Sequence, residues 1–368
     1  MKNKKMLKNT VGIILIFSLF ILGITNCKKK EAEVIKIGAI LPLTGLVSEM
    51  GQKMAEGLNF AMEYWNTTFN NKKKLLVKIE DSKSNPKDGI TALKFLLSQN
   101  YKFFIIPHSV MAMSAKPILI NTPDVIAFLD ASHPDIVNPP HPRIFRHSQN
   151  AEWEAENIVN YIFSIEKSVE NIILFYMNDE YGRAFAERMN EFLKKMETQT
   201  KLFLIPYEVN TLNFKEIVFK SKIRTTPNAV VVIAGAGRPM GLLIKALREQ
   251  RYKENIFAAM GYVATGVRNL LSEEERKNIY YTDLDWQKSE ALVWLENKYF
   301  SLYKINPPGV TKLEFLSALL LASAIKEAGE RDIIGITQKI KDLAPKLIGV
   351  TVSEKGDLLP KIIIKKEE

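Results

Sequence analysis

The stretch VIKIGAIL (34–41), PLTGLVSEM (42–50) and GQKMAEGLNFAMEYW (51–65) decides the fold. Its first eight residues are apolar apart from Lys36 and are stopped by Pro42 and Gly45, the pattern of a strand covered on both faces. From Gly51 the period changes, and Met54, Leu58, Ala61, Met62 and Trp65 fall on one helical face. A strand, a short turn and a helix are half of a βαβ unit. The alternation continues outward. KLLVKIED (74–81) is a second strand, and Asn85 is placed to cap a helix that has Pro86 at its first position and the stripe Ile90, Leu93, Leu96, Leu97. FFIIP (103–107) and DVIAFLD (124–130) are two further strands. The pattern resumes with NIILFYM (171–177), a helix from Gly182, KLFLIPYEV (201–209), a helix from Asn213, AVVVIAGA (229–236), a helix from Met240 and NIFAAM (255–260).

Near-continuous apolar strands between helices indicate parallel sheets with both faces covered. Two such sets, at 34–130 and 171–260, predict an α/β protein of two doubly wound, Rossmann-like lobes. Helical stretches near 286–304 and 311–328, and a hairpin-like pair at 348–365 around Lys355-Gly356-Asp357, are expected to complete both. The lobes are then 34–148 plus 283–345, and 149–282 plus 346–366. Doubly wound sheets bind ligands at the carboxyl ends of their strands. Two facing lobes therefore make a hinged cleft, where closure buries a small molecule from both sides.

The composition agrees. A chain of 368 residues has room for two domains, and 46% hydrophobic with 25% charged residues suits neither disorder nor a polytopic membrane protein. A single cysteine excludes an internal disulfide framework and a multi-cysteine metal site. The N-terminus carries Lys2, Lys4, Lys5 and Lys8 without an acid, followed by the apolar run Val11 to Thr25, too short to span a bilayer as a helix but suited to a signal-peptide core. Ile24-Thr25-Asn26-Cys27 ends it, with Lys28, Lys29 and Lys30 beyond. This arrangement resembles a bacterial lipobox, with Asn26 where Gly or Ala is usual. It implies a signal peptide over 1–26, a lipidated Cys27, a tether over 27–33, and attachment to a membrane through the lipid. Removing four lysines lowers the net charge from +10 to +6, and no basic run remains beyond the tether, so no nucleic-acid partner is expected.

IKIGAILPLTGLVSEMGQKMAEGLNFAMEYWN (35–66), with Pro42, Thr44, Gly45, Gly51, Gly57 and Ala61, resembles the opening of the branched-chain amino acid (Leu/Ile/Val) binding proteins of ABC importers. Asp81 and Pro86 in IEDSKSNPKDGITALKFL (79–96), IFRHS (144–148), NDEYGRAFAE (178–187) and SEKGDLL (353–359) follow in that family's order, so the likeness runs from about 34 to 366. It implies the type I periplasmic-binding fold, a small-molecule ligand, and an ABC permease/ATPase complex as partner, with no cofactor and no enzymatic activity.

The likeness thins at the ligand positions. Where the family carries Gly-x-x-S/T-S, this chain has Pro107-His108-Ser109-Val110-Met111-Ala112-Met113-Ser114. Asp130-Ala131-Ser132 stands at the next contact turn, and Tyr181 where the family meets the ligand from the second lobe. The acid that pairs the α-ammonium is replaced by Val263 in Gly261-Tyr262-Val263. A plain α-amino acid is therefore expected to bind poorly unless Asp130 supplies the charge, and an amide, a carboxylate or an apolar molecule is favoured. The candidate ligand-binding residues are Tyr181, Ser132, Asp130, Ala131, Met111, Ala112, Tyr262, Arg238, Met50 and Phe315. Each has a plainer role: Asp130 as a turn cap, Met50, Met111 and Phe315 as packing, and Arg238 as a solvated loop residue.

Two rival readings remain. Gly235-Ala236-Gly237-Arg238-Pro239-Met240-Gly241 follows an apolar strand and precedes a helix, the setting of a dinucleotide fingerprint. Its third glycine is one residue late, however, and no acid ends the next strand, so an NAD(P)-binding enzyme is the remote alternative. His108, His133, His141 and His147 lack a metal-ligand spacing, Asp179-Glu180 suits a helix start, and no G-x-S-x-G is present. The second rival keeps the fold and makes the chain a ligand-sensing receptor component not linked to transport.

Overall fold

The computed structural model describes residues 33–68, 73–166 and 168–367. The signal segment read at 1–26, and Cys27 with residues 28–32 of its tether, lie outside the described residues. The first sheet contains β1 (Glu33–Leu41), β2 (Lys73–Asp81), β3 (Phe103–Ile105), β4 (Ile126–Phe128) and β5 (Ile144–Phe145), all parallel, in the order β2-β1-β3-β4-β5. Helices α1 (Ser48–Thr68), α2 (Pro86–Ser98) and α3 (Ser109–Asn121) connect its first four strands. Asn85 caps α2 as expected, accepting from the Asp88 amide, with Pro86 at its start.

Helix α4 (Ala151–Ile165) opens the second lobe. β6 (Asn171–Met177), α5 (Glu180–Lys195), β7 (Lys201–Tyr207), α6 (Lys215–Lys220), β8 (Ala229–Ala234), α7 (Gly237–Glu249) and β9 (Ile256–Ala258) follow in strict alternation. Two four-residue helices, α8 (Gly261–Ala264) and α9 (Glu273–Arg276), lead to β10 (Ile279–Leu284). The sheet order is β11-β10-β9-β8-β6-β7, parallel except that β11 (Ile362–Lys366) runs antiparallel to β10. Before β11 the chain returns to the first sheet as α10 (Glu290–Tyr303), α11 (Gly309–Ala328) and α12 (Ile333–Leu347). These helices share one buried apolar cluster with β1 and α1. Gly57 allows this: a Cβ there would lie 2.3 Å from the Thr311 carbonyl of α11, so any side chain would part the two helices.

Three elements escape the pattern of the sequence. β5 is two residues long. β10 reads Ile-Tyr-Tyr-Thr-Asp-Leu, with polar residues that the fold buries. α12 carries Gly335 and Pro345, which interrupt a helical reading, although Asp332 caps its start through the Gly335 amide. The hairpin expected at 348–365 is corrected. The turn exists, with Ser353 N–H donating to the Asp357 carbonyl at 2.7 Å, but among the described residues its arms share only the Val352–Leu358 bridge. The following strand pairs with β10 instead, because that sheet edge offers a full ladder.

The chain crosses between lobes at 146–150, 285–289 and 348–361. The first and third crossings are laced together: Arg146 N–H donates to the Gly356 carbonyl at 3.0 Å, and Leu358 N–H to the Arg146 carbonyl at 2.8 Å. The Arg146 side chain, 1% exposed, donates from Nε to Asp357 Oδ1 at 2.6 Å and from Nη1 to the His133 carbonyl at 2.7 Å, with its guanidinium 5.6 Å from the Trp153 ring. Asp285 N–H donates to the Lys361 carbonyl at 2.8 Å and ties in the second crossing. Removing one partner of a buried ion pair strands the other. Asp357→Ala is expected to lower the unfolding free energy by about 3–5 kcal/mol in urea titration; a loss below about 1 kcal/mol, the scale of a surface pair, would show that Arg146 does not depend on it.

Candidate ligand-binding site

Between the lobes lies a cleft of about 100 Å³, enough for a small organic molecule. Its walls come from the carboxyl ends of the parallel strands, as doubly wound sheets require. The first lobe supplies Met50 and Met54 of α1, His108 and Ser109 after β3, Asp130, Ala131 and Ser132 after β4, and Ser148 and Gln149 after β5. Met177 at the end of β6, Asp179 and Tyr181 just beyond it, Gly235 and Ala236 after β8, and Met260 after β9 face them from the second lobe. Val310 and Leu313 of α11 close one side. The surface is largely apolar, and four methionines drawn from both lobes give it a soft, adaptable wall.

The structure brings Tyr181, Ser132, Asp130, Ala131 and Met50 together on this cleft. It places the other five candidates elsewhere. Met111 and Ala112 are buried in the first lobe between α2 and α3, and a Cβ on Gly89 would meet the Met111 sulfur at 2.0 Å. Phe315 is stacked on Trp294 with ring centroids 6.2 Å apart, on a face of α11 turned into the core. Tyr262 is buried in the second lobe against Tyr281, and Arg238 is exposed at the start of α7. In each case helical phase decides: the motif is one or two residues long, and a step of one residue turns a side chain by about 100°.

The polar groups at the cleft are held from behind. Tyr181 donates its hydroxyl to Glu154 Oε2 at 2.6 Å, and its ring lies 6.0 Å from Phe185. Glu154 of α4 is fully buried; its other oxygen accepts from the Met260 amide and the Thr282 hydroxyl. Burial pushes this carboxyl up, against the pull of those donors. Glu154 thus joins α4, α5, β9 and β10 at the cleft. Nothing in the sequence marked it beyond being an acid on a helix's buried face.

Asp130 is committed as well. Its Oδ1 accepts from the His147 amide at 2.9 Å and its Oδ2 from the Ser317 hydroxyl at 2.8 Å, while the His147 ring nitrogen Nδ1 lies 2.9 Å from that same hydroxyl. Burial pushes Asp130 up to about 7 and His147 down to about 3, so the imidazole is neutral. Glu314 of α11, also fully buried, is pushed up by burial and by Asp130, and neither of its oxygens has a hydrogen-bond partner. Of these two neighbouring carboxyls Glu314 is the one kept protonated, because it lacks donors to stabilise a charge. His108 is pushed down to about 4 by burial and adds no charge to the wall.

Gly235 and Gly241 have a packing cause, and Gly237 a conformational one, its φ being +63°. A Cβ on Gly235 would lie 2.0 Å from the Tyr207 hydroxyl, and one on Gly261 would lie 1.8 Å from the Gly235 carbonyl. The Gly237 amide is already donated to Thr265 Oγ1 at 2.7 Å. Asp81 and Thr44 also work within the fold: Thr44 Oγ1 donates to Asp81 Oδ2 at 2.6 Å and the Leu43 amide to Oδ1 at 2.9 Å, fixing the turn after β1. Among the described residues no cluster of three or more metal-ligating side chains occurs, and no helix is long and apolar enough to cross a membrane.

A cleft between two doubly wound lobes, at the strands' carboxyl ends and with three crossings behind it, defines the type I periplasmic-binding class. A family model for periplasmic binding proteins matches residues 34–351, and the chain belongs to that family. It is 23% identical over 341 residues to Leu/Ile/Val-binding protein homolog 1 of Brucella abortus, covering 90% of each chain. The structure superposes with a TM-score of 0.78 on the branched-chain amino acid transporter substrate-binding protein LivJ from Streptococcus pneumoniae, solved with isoleucine, at 16% identity over 91% of this chain and 96% of that one. It superposes with a TM-score of 0.74 on the fatty acid ABC transporter substrate-binding protein from Thermomonospora curvata, at 14% identity over 91% and 89%. The resemblance to the branched-chain amino acid binding family and the expected fold therefore both hold.

Tyr181 presents its ring to the cleft while its hydroxyl is held by Glu154, which separates two roles by substitution. Tyr181→Ala is expected to weaken ligand binding about tenfold or more, from the loss of roughly 1.5–3 kcal/mol of buried aromatic contact. Tyr181→Phe should keep most of the affinity, and titration calorimetry on both variants is the check. Equal affinities in Ala, Phe and wild type would take Tyr181 out of the site.

Proposed function

We propose that the chain is an extracytoplasmic solute-binding lipoprotein that captures a small molecule in its inter-lobe cleft and hands it to an ABC permease/ATPase complex, with no chemistry done on the ligand. One observation carries the reading: the cleft is lined from both lobes, so its contents are enclosed only when the lobes are together. A permease that senses closure can then distinguish loaded from empty protein. The ligand is a largely apolar small molecule with hydrogen-bonding groups, amino-acid-like or an amide. A free carboxylate has less support than the sequence alone suggested, because no lysine or arginine is among the described residues lining the cleft. Lipidation of Cys27 would hold the protein at the membrane surface near its permease.

Thermal unfolding of the full-length protein in detergent, refolded to strip carried-over ligand, tests the binding role against amino acids, amides, organic acids, purines and sugars. A ligand at a thousand times its dissociation constant stabilises the bound form by about 4 kcal/mol and raises the melting point by degrees. No shift with any class would count against a solute-binding role. The anchor has a separate test: labelled palmitate is expected in the wild-type protein and absent from Cys27→Ser, and an unlabelled wild type would remove the lipid from the proposal.

A further inference from the structure

The cleft holds two carboxyl groups and, among the described residues that line it, no lysine or arginine. They are not equivalent. Asp130 has both oxygens engaged by the His147 amide and the Ser317 hydroxyl, and it sits in the first lobe as part of a buried relay. Asp179 lies in the second lobe at the N-cap of α5, where Oδ1 accepts from the Gly182 amide at 2.8 Å. Among the described residues no ion pair reaches Asp179. The nearest basic group along the helix, Arg183, is paired with Glu180 at 2.7 Å and hydrogen-bonded to the Asn178 side chain, and attracts Asp179 without forming an ion pair with it. Asp179 is thus a carboxylate on the cleft wall with helix amides behind it and, among the described residues lining the cleft, no cation facing it.

Building on the solute-binding reading, we infer that Asp179 is the counter-ion for a positively charged amine on the ligand, presented from the second lobe so that the charge pair forms as the lobes close. Two further features agree. Burial pushes Asp179 up to about 6 against the pull of the Gly182 amide and of Arg183, and a ligand cation would add to that pull. The apolar wall of Met50, Met54, Met177, Met260, Val310 and Leu313 suits the hydrocarbon body of such an amine. Position 263, a valine, carries no charge; Asp179 supplies one from a different strand end of the same lobe. The ligand class that follows is a small apolar molecule with a basic nitrogen, and its carboxylate, if it has one, is not a requirement.

Asp179→Asn isolates the charge, since asparagine caps a helix as well as aspartate does. The unliganded melting point should therefore hold, and affinity for an amine separates the two roles: a carboxylate that only caps the helix leaves that affinity unchanged in Asp179→Asn. Four probes divide the chemistry: isoleucine, isoleucinamide, 2-methylbutylamine and 3-methylpentanoate, the last without an amine. By calorimetry on the full-length protein in detergent, the amine-bearing probes should bind the wild type and lose tenfold or more in Asp179→Asn, while 3-methylpentanoate binds worse than the amines and is not weakened. Amine binding unchanged by Asp179→Asn, or tighter binding of 3-methylpentanoate, overturns the inference and leaves the solute-binding reading standing. Should all four stay silent, native mass spectrometry of the protein as purified decides. A carried-over molecule with a basic nitrogen supports Asp179 and one without it refutes the assignment; where none is carried over, the compound class that shifts the melting point decides in the same way, and no shift with any class overturns the solute-binding reading and this inference with it.

Discussion

A guanidinium buried to 1% exposure is tolerable only where charge and hydrogen-bond acceptors surround it, and Arg146 finds them on the third crossing of the chain and in a loop of the first lobe. Asp357 comes from the return strand more than two hundred residues away, the His133 carbonyl from the loop after β4, and the Trp153 ring from the start of α4. The pair therefore fixes the first and third crossings side by side and sets where each lobe departs from the hinge. The parallel bridge of Arg146 with Asp357 adds backbone bonds to the same junction. With the crossings fixed, the strand ends of the two sheets have to face each other, and the cleft follows.

Behind the cleft wall lies a second layer of buried acids with distinct tasks. Glu154 gathers donors from three other elements of the second lobe and so aligns Tyr181, Met260 and Thr282. Asp130 does the same in the first lobe, holding the His147 amide and the Ser317 hydroxyl and so joining the end of β4 to the first crossing and to α11. Buried carboxyls are costly unless their oxygens are satisfied, and these two are satisfied by groups whose positions they then determine. Glu314 is the exception: with no donor it is held neutral, next to Asp130 and one residue beyond cleft-lining Leu313. Each lobe thus meets the ligand through side chains fixed from behind, while the methionines between them stay adaptable.

The same fold, at 14–16% identity, serves a protein solved with isoleucine and one named for fatty acid transport. What these chains share is the fold; in this one it rests on the turn after β1 knitted by Asp81, the close α1–α11 approach at Gly57, and the hinge. Ligand chemistry is set by a few side chains at strand ends, which can change without disturbing that scaffold. Here they give a cleft with acids, hydroxyls and thioethers.

The sequence by itself determined the alternation of strand and helix, the parallel sheets, the two lobes and the family. Those features depend on periodicity over eight to fifteen residues and on glycines and caps at fixed offsets, such as Asn85 with Pro86. It also brought Tyr181, Ser132 and Asp130 to notice, because residues just after a buried strand point toward the cleft in this architecture. It had no means of finding β5, β10 or α12, whose patterns are two residues long, polar, or interrupted by Gly335 and Pro345. Nor could it tell that Met111, Ala112, Phe315, Tyr262 and Arg238 face elsewhere, since one residue of helical phase separates wall from core. Only the tertiary structure decided which acids are spent. Asp130 and Glu154 are bound by donors from segments up to 187 residues distant in sequence, whereas Asp179, one residue from Glu180 in an ordinary helix start, is left facing the cleft. Such differences reside in where hydrogen-bond donors from distant segments arrive, and no local pattern of residues records that.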